Sequence, residues 1–131
     1  MRLFKNTWFT RFADKEGISD DELWETVNQL EAGQADADLG GDVYKMRIAR
    51  PGEGKSGGYR AIVFFRRGNK TFCHYAYPKT SRDNISEKEL RVFKKLAKKH
   101  LAMTYEHLAE AVKSGEFIEI QEARSGEKVS K

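Results

Sequence analysis

The stretch Val43-Tyr44-Lys45-Met46-Arg47-Ile48-Ala49 decides the fold, because its apolar and charged residues alternate one by one. Alternation is the two-residue period of a strand, so Tyr44, Met46 and Ile48 point to one side and Lys45 and Arg47 stand together on the other. A glycine-rich connection over 51–58 leads into Tyr59-Arg60-Ala61-Ile62-Val63-Phe64-Phe65, apolar enough for a central strand. Arg66-Arg67-Gly68-Asn69-Lys70 carries the residues of a hairpin turn, 71–77 supply the next strand, and Pro78 ends it.

Working outward toward the N-terminus, the period becomes helical. Ser19-Asp20-Asp21-Glu22 is a capping box, in which the Ser and Glu side chains satisfy each other's free backbone N–H groups, and Ile18 and Leu23 are spaced for a hydrophobic staple. Leu23, Trp24, Val27 and Leu30 give the buried face of a helix over 19–32, with Gly33 as its stop. Residues 1–6 read as a short strand and 7–15 as a helix whose Trp8, Phe9 and Phe12 form an apolar stripe. Between the second helix and the strands, Asp36 and Asp38 mark an acidic turn before Gly40-Gly41.

Toward the C-terminus the same signals return. Ile85-Ser86-Glu87-Lys88-Glu89-Leu90 is a second capping box with its staple, and Leu90, Phe93, Leu96, Ala97 and Leu101 form a buried stripe. Thr104 caps a further helix to 114, Gly115 ends it, and 117–120 read as an edge strand. Residues 121–131 have no apolar periodicity and are expected to be a disordered tail. The expectation is one α+β domain over 1–120, with a small, mainly antiparallel sheet, two N-terminal helices and C-terminal helices packed on it.

A chain of 131 residues has room for one domain of normal size, and 39% hydrophobic content excludes wholesale disorder. The single cysteine, Cys73, cannot form an internal disulfide, and with three scattered histidines it makes no zinc framework, so neither metal nor other cofactor is expected. A cytoplasmic setting is expected, since no apolar run reaches signal-peptide or bilayer length. The net charge of +4 hides a polarity: residues 44–100 carry 16 Lys and Arg against 4 Asp and Glu, and the remainder 8 against 16. A +12 segment beside a −8 remainder fits a basic surface for a polyanion.

One motif is misleading. Ala49-Arg50-Pro51-Gly52-Glu53-Gly54-Lys55-Ser56 fits a relaxed phosphate-loop pattern, but such a loop must lead into a helix, and here Gly57-Gly58 and a strand follow. The reading is instead a basic lip, in which Lys55 is an RNA-binding candidate.

Three segments together resemble a known family: Asp36-Ala37-Asp38-Leu39-Gly40-Gly41, Lys45-Met46-Arg47-Ile48-Ala49-Arg50-Pro51-Gly52 and Gly54-Lys55-Ser56-Gly57-Gly58-Tyr59-Arg60. They look like the HigB-type branch of the RelE/ParE toxin superfamily, and the similarity continues through Tyr77-Pro78-Lys79 and Asn84-Ile85. The resemblance implies a RelE-like fold and the toxin of a type II toxin–antitoxin pair, typically an endoribonuclease that cuts mRNA in the ribosomal A site. It also implies an antitoxin partner, often a helix-turn-helix protein of the HigA type; the free toxin is expected to be monomeric.

Metal-free RNA cleavage needs a base for the 2′-hydroxyl, cations for the charge that builds on phosphorus, and a proton for the departing oxygen. By the RelE pattern, Lys45 and Arg47 align with two strand cations and Arg60 with the arginine of "G-Y-R". Lys45 is then the candidate base, and Arg47 and Arg60 bind the phosphate, Arg60 with two-pronged geometry. RelE carries a further arginine where this chain has Thr80, so Lys79 and Arg82, which flank the gap, join the catalytic candidates. Tyr77 and His74 are candidates for a proton or for stacking on a base. Arg91, Lys94, Lys95 and Lys98 on the basic helix fit electrostatic attachment to ribosomal RNA. Two other readings compete: a ParE-like gyrase inhibitor of the same fold, and a non-catalytic RNA-binding module.

Overall fold

The computed structural model of the protein describes residues 1–50 and 54–122, without the side chains of 54–56. Ten elements follow one another: β1 (Arg2–Asn6), α1 (Thr7–Glu16), α2 (Asp20–Glu31), β2 (Ala37–Gly40), β3 (Val43–Arg50), β4 (Gly54–Arg66), β5 (Lys70–Pro78), α3 (Glu87–Leu101), α4 (Tyr105–Lys113) and β6 (Phe117–Ile120). The strands form one sheet in the order β2-β3-β4-β5-β1-β6. Only β1 with β5 pairs in parallel among the described strands.

The helix starts work as their residues require. Ser19 and Ser86 each accept the N–H of the residue three positions on, and Glu22 and Glu89 reach back to the caps, so both capping boxes are complete. Asn6 caps α1 directly at the end of β1, which turns the chain out of the sheet with no intervening loop.

The alternation in β3 and β4 divides the core into two layers. Met46, Ile48, Tyr59, Ala61 and Val63 pack with Phe9, Ala13, Leu23, Val27 and Leu30 on the α1 and α2 side. Val43, Ile62 and Phe64 pack with Phe93, Ala97, Leu101 and Leu108 on the α3 and α4 side. Lys45, Arg47 and Arg60 belong by alternation to this second face. A bulge in β5 pairs Ile62 with Tyr75 but Val63 with Cys73, leaving His74 as the extra residue. It resets the strand so that Tyr75 and Tyr77 share the face of Ile62 and Arg60.

Gly58 shows why the connection into β4 is rich in glycine. A Cβ there would lie 2.2 Å from the Ile48 carbonyl oxygen, so only glycine permits β3 and β4 to approach beside Tyr59 and Arg60.

Three expectations need correction. The acidic turn around Asp36 and Asp38 contains a four-residue edge strand, β2, too short to display an alternation of its own. The connection over 51–58 is shorter than expected, because β4 starts at Gly54 and pairs it with Arg50. Trp8 is not part of the buried stripe of α1, which consists of Phe9 and Ala13, and is instead 45% exposed. The basic lip at Lys55 and most of the tail expected over 121–131 fall outside the described side chains and residues. Among the described residues, no helix is long and apolar enough to cross a membrane.

Candidate active site

The register across three strands builds the site. Arg47 on β3 stands opposite Arg60 on β4, and Arg60 stands opposite Tyr77 on β5. Lys45 precedes Arg47 by two residues on the same face. The three cations converge on one carboxylate, that of Asp36, immediately before the edge strand β2. Arg47 Nε donates to Asp36 Oδ1 at 2.8 Å, while Lys45 Nζ and Arg60 Nε each lie 3.7 Å from Asp36 Oδ2. Pairing of Ala37 with Lys45 brings Asp36 there.

The members differ in exposure, which separates their roles. Arg60 is only 4% exposed and also donates to the Tyr59 carbonyl at 3.3 Å, so its guanidinium is fixed in place. Arg47 has a side chain 51% exposed and lines an open cleft of about 450 Å³ with Gln29, Gln34, Ala35 and Asp36. Such a cleft opens the Asp36 and Arg47 side of the cluster to solvent. Among the described residues the three cations share one carboxylate, a local surplus of positive charge suited to an anion.

Tyr77 adds a proton donor at the same place. Its hydroxyl is buried without a hydrogen-bond partner among the described residues. Burial pushes its pKa up; Arg82 and then Arg60 oppose the shift, and Asp36 and Tyr75 reinforce it. The phenol therefore keeps its proton at neutral pH, next to Arg60.

The remaining candidates lie elsewhere. Lys79 is exposed, and its backbone N–H donates to the Gly58 carbonyl at 3.0 Å, which fastens the end of β5 to β4. Arg82 grips Glu89 through two hydrogen bonds of 2.6 and 3.2 Å, and its guanidinium carbon lies 5.4 Å from the centre of the Tyr77 ring. It thus reaches the site through Tyr77 and not through Asp36. His74 lies among aromatic rings, 4.8 Å from Phe64 and 5.2 Å from Phe93, and its Nδ1 meets the Asn6 amide at 3.2 Å. Burial first, and His100 second, lower its pKa to about 4, so it packs as a neutral ring. Arg91, Lys94, Lys95 and Lys98 are all exposed along α3, whose buried face is Phe93, Ala97 and Leu101.

Two features escape a reading from sequence. Asp36 sits in a segment that resembles a family motif, but its role emerges only once β2 is paired with β3. Trp8, Phe12 and Tyr75 form an aromatic array whose parts are far apart in the chain.

The family model for the RelE toxin of the RelE/RelB toxin–antitoxin system matches residues 1–120. The chain belongs to the RelE toxin family. Among curated proteins no match to it is found. Membership makes the protein a toxin of a toxin–antitoxin system, the kind of toxin that pairs with an antitoxin. The open, mostly antiparallel sheet with four helices is consistent with the fold of this RelE-family toxin.

Proposed function

We propose that this RelE-family toxin is of the HigB type and is a metal-independent endoribonuclease that cuts mRNA on the ribosome, held in check by a helix-turn-helix antitoxin. The observation that carries the reading is the convergence of Lys45, Arg47 and Arg60 on the Asp36 carboxylate. A carboxylate held by two guanidiniums and an ammonium occupies the kind of place that a phosphate oxygen pair fills.

With a phosphodiester in that place, Lys45, having first given a proton to water, takes the proton of the 2′-hydroxyl. The 2′-oxygen bonds to phosphorus, and the growing charge on the phosphorane falls between Arg47 and Arg60. The bond from phosphorus to the 5′-oxygen then breaks, and Tyr77 protonates the leaving oxygen. The products are a 2′,3′-cyclic phosphate and a 5′-hydroxyl. Proton exchange with water resets Lys45 and Tyr77.

Primer extension on mRNA bound to A-site-programmed ribosomes tests this directly. The expected result is new 5′ ends with the wild-type protein, and their loss by at least about a hundredfold in Lys45→Ala and Arg60→Ala, since removing one preorganised charge costs about that much. Unchanged RNA with active ribosomes and folded protein would overturn the nuclease reading and favour gyrase inhibition.

A further inference from the structure

Where β1 leaves the sheet after Asn6, the ring of Tyr75 on β5 loses its strand neighbour, and Trp8 in the first turn of α1 covers it. The Trp8 ring lies 4.8 Å from Tyr75 and stacks on Phe12 at 5.3 Å with 13° between the planes. Tyr75 is in turn 6.0 Å from Tyr77, and Tyr77 stands opposite Arg60. A row of aromatic rings therefore runs from the cation cluster to a tryptophan that is 45% exposed, whereas the other tryptophan, Trp24, is buried.

An exposed tryptophan stacked on one ring and packed against a second is held in place and needs little further ordering before it binds. The same side of α1 carries Arg11 and Lys15, exposed at three and seven residues from Trp8, so cations flank the ring. Cations and aromatic faces in succession match the alternation of phosphate and base along a single strand. A protein partner would need only the apolar surface; the flanking charges and the continuity with the Arg60 cluster favour RNA.

We propose that Trp8, braced by Phe12 and Tyr75, is a stacking subsite for a nucleobase of the RNA strand whose phosphate lies at Arg60. This rests on the reading of the chain as an RNA-cutting toxin. Stacking of this kind tolerates any base, so the subsite fixes the strand's path and not its sequence.

The test is binding of a fluorescently labelled, 2′-O-methylated RNA oligomer, which cannot be cleaved, measured by anisotropy with the oligomer free and with it placed in the A site of ribosomes. Trp8→Ala is expected to weaken binding about tenfold or more, as loss of one stacked base does, with Trp8→Phe staying within about threefold of wild type. The slope of affinity against salt should not change in Trp8→Ala, because no charge is removed, but should flatten in Arg60→Ala. Thermal unfolding of both Trp8 variants serves as the check on folding. If Arg60→Ala weakens binding while Trp8→Ala binds as the wild type does, the subsite is wrong and the nuclease reading stands. If the wild type binds the oligomer in neither setting, both fall.

Discussion

Two of the centres where arginine meets carboxylate differ in balance. Arg82 and Glu89 meet one to one, at 2.6 and 3.2 Å, with Arg82 Nε donating to the Asn84 carbonyl and Glu89 also closing the capping box of α3. Every group there has a partner of opposite charge, so the centre fastens the chain after β5 to a helix start. At Asp36 one carboxylate answers Lys45, Arg47 and Arg60, and two of the three contacts are as long as 3.7 Å. A one-to-one pair is a clasp; a cluster in which, among the described residues, three cations share one carboxylate attracts an anion, and that difference separates architecture from site.

The largest effect is expected from Asp36→Asn, which removes the carboxylate that the three cations share. Two consequences oppose each other. Nearly buried Arg60 loses the charge of Asp36 beside it, which should lower stability by about 2 kcal/mol in chemical unfolding. An RNA phosphate no longer competes with the carboxylate, so affinity for a noncleavable oligomer should rise about tenfold as judged by anisotropy. If the variant proves less stable and also binds RNA more weakly, Asp36 positions the cations and does not stand where the phosphate goes, and the contrast between the two centres dissolves.

Glu89→Gln probes the clasp and should act on stability alone. Arg82 first, then the Ser86 N–H, hold the Glu89 carboxyl at about 2, below its ordinary 4.5. A carboxyl with a depressed folded-state pKa contributes stability that is complete above about 4.5 and is lost as pH falls through about 2. The pair is partly open to solvent, so the variant should lose roughly 1 kcal/mol or less at neutral pH. That difference should shrink in acid unfolding profiles as pH drops toward 2, while RNA affinity at neutral pH stays as in the wild type. A tenfold loss of RNA binding in Glu89→Gln would make the clasp part of the site.

Much of this contrast was written locally in the sequence. The capping boxes at Ser19 and Ser86 could be read because each depends on residues three apart, and Lys45 and Arg47 because a strand alternates every two residues. Arg60 beside Arg47 required the β3–β4 register, which no local period carries and the pairing supplies. Asp36 and the Trp8 array could not be read in this way. The first depends on a four-residue edge strand, the second on a ring in α1 meeting a strand 67 positions later in the chain, and such contacts leave no period behind. The bulge at His74 hid another part, because it shifts Tyr75 and Tyr77 to the face opposite the one simple alternation from Cys73 would give.

The smallest effect is expected on α3, where the cations are neither clasped like Arg82 nor clustered like Arg60. Lys98 is exposed on the side of α3 away from Phe93, Ala97 and Leu101. Such a charge acts through the general field of the surface, which attracts a polyanion without fixing its position. Lys98→Ala should therefore lower affinity for ribosome-bound RNA by less than about threefold and reduce the steepness of its salt dependence by about 0.7, the share of one phosphate contact on a single strand. Cleavage of RNA already bound should proceed at the wild-type rate, because no group at Asp36 has moved. A large fall in that single-turnover rate would extend the reacting centre to α3, and the line drawn between charges that attract and charges that react would have to be redrawn.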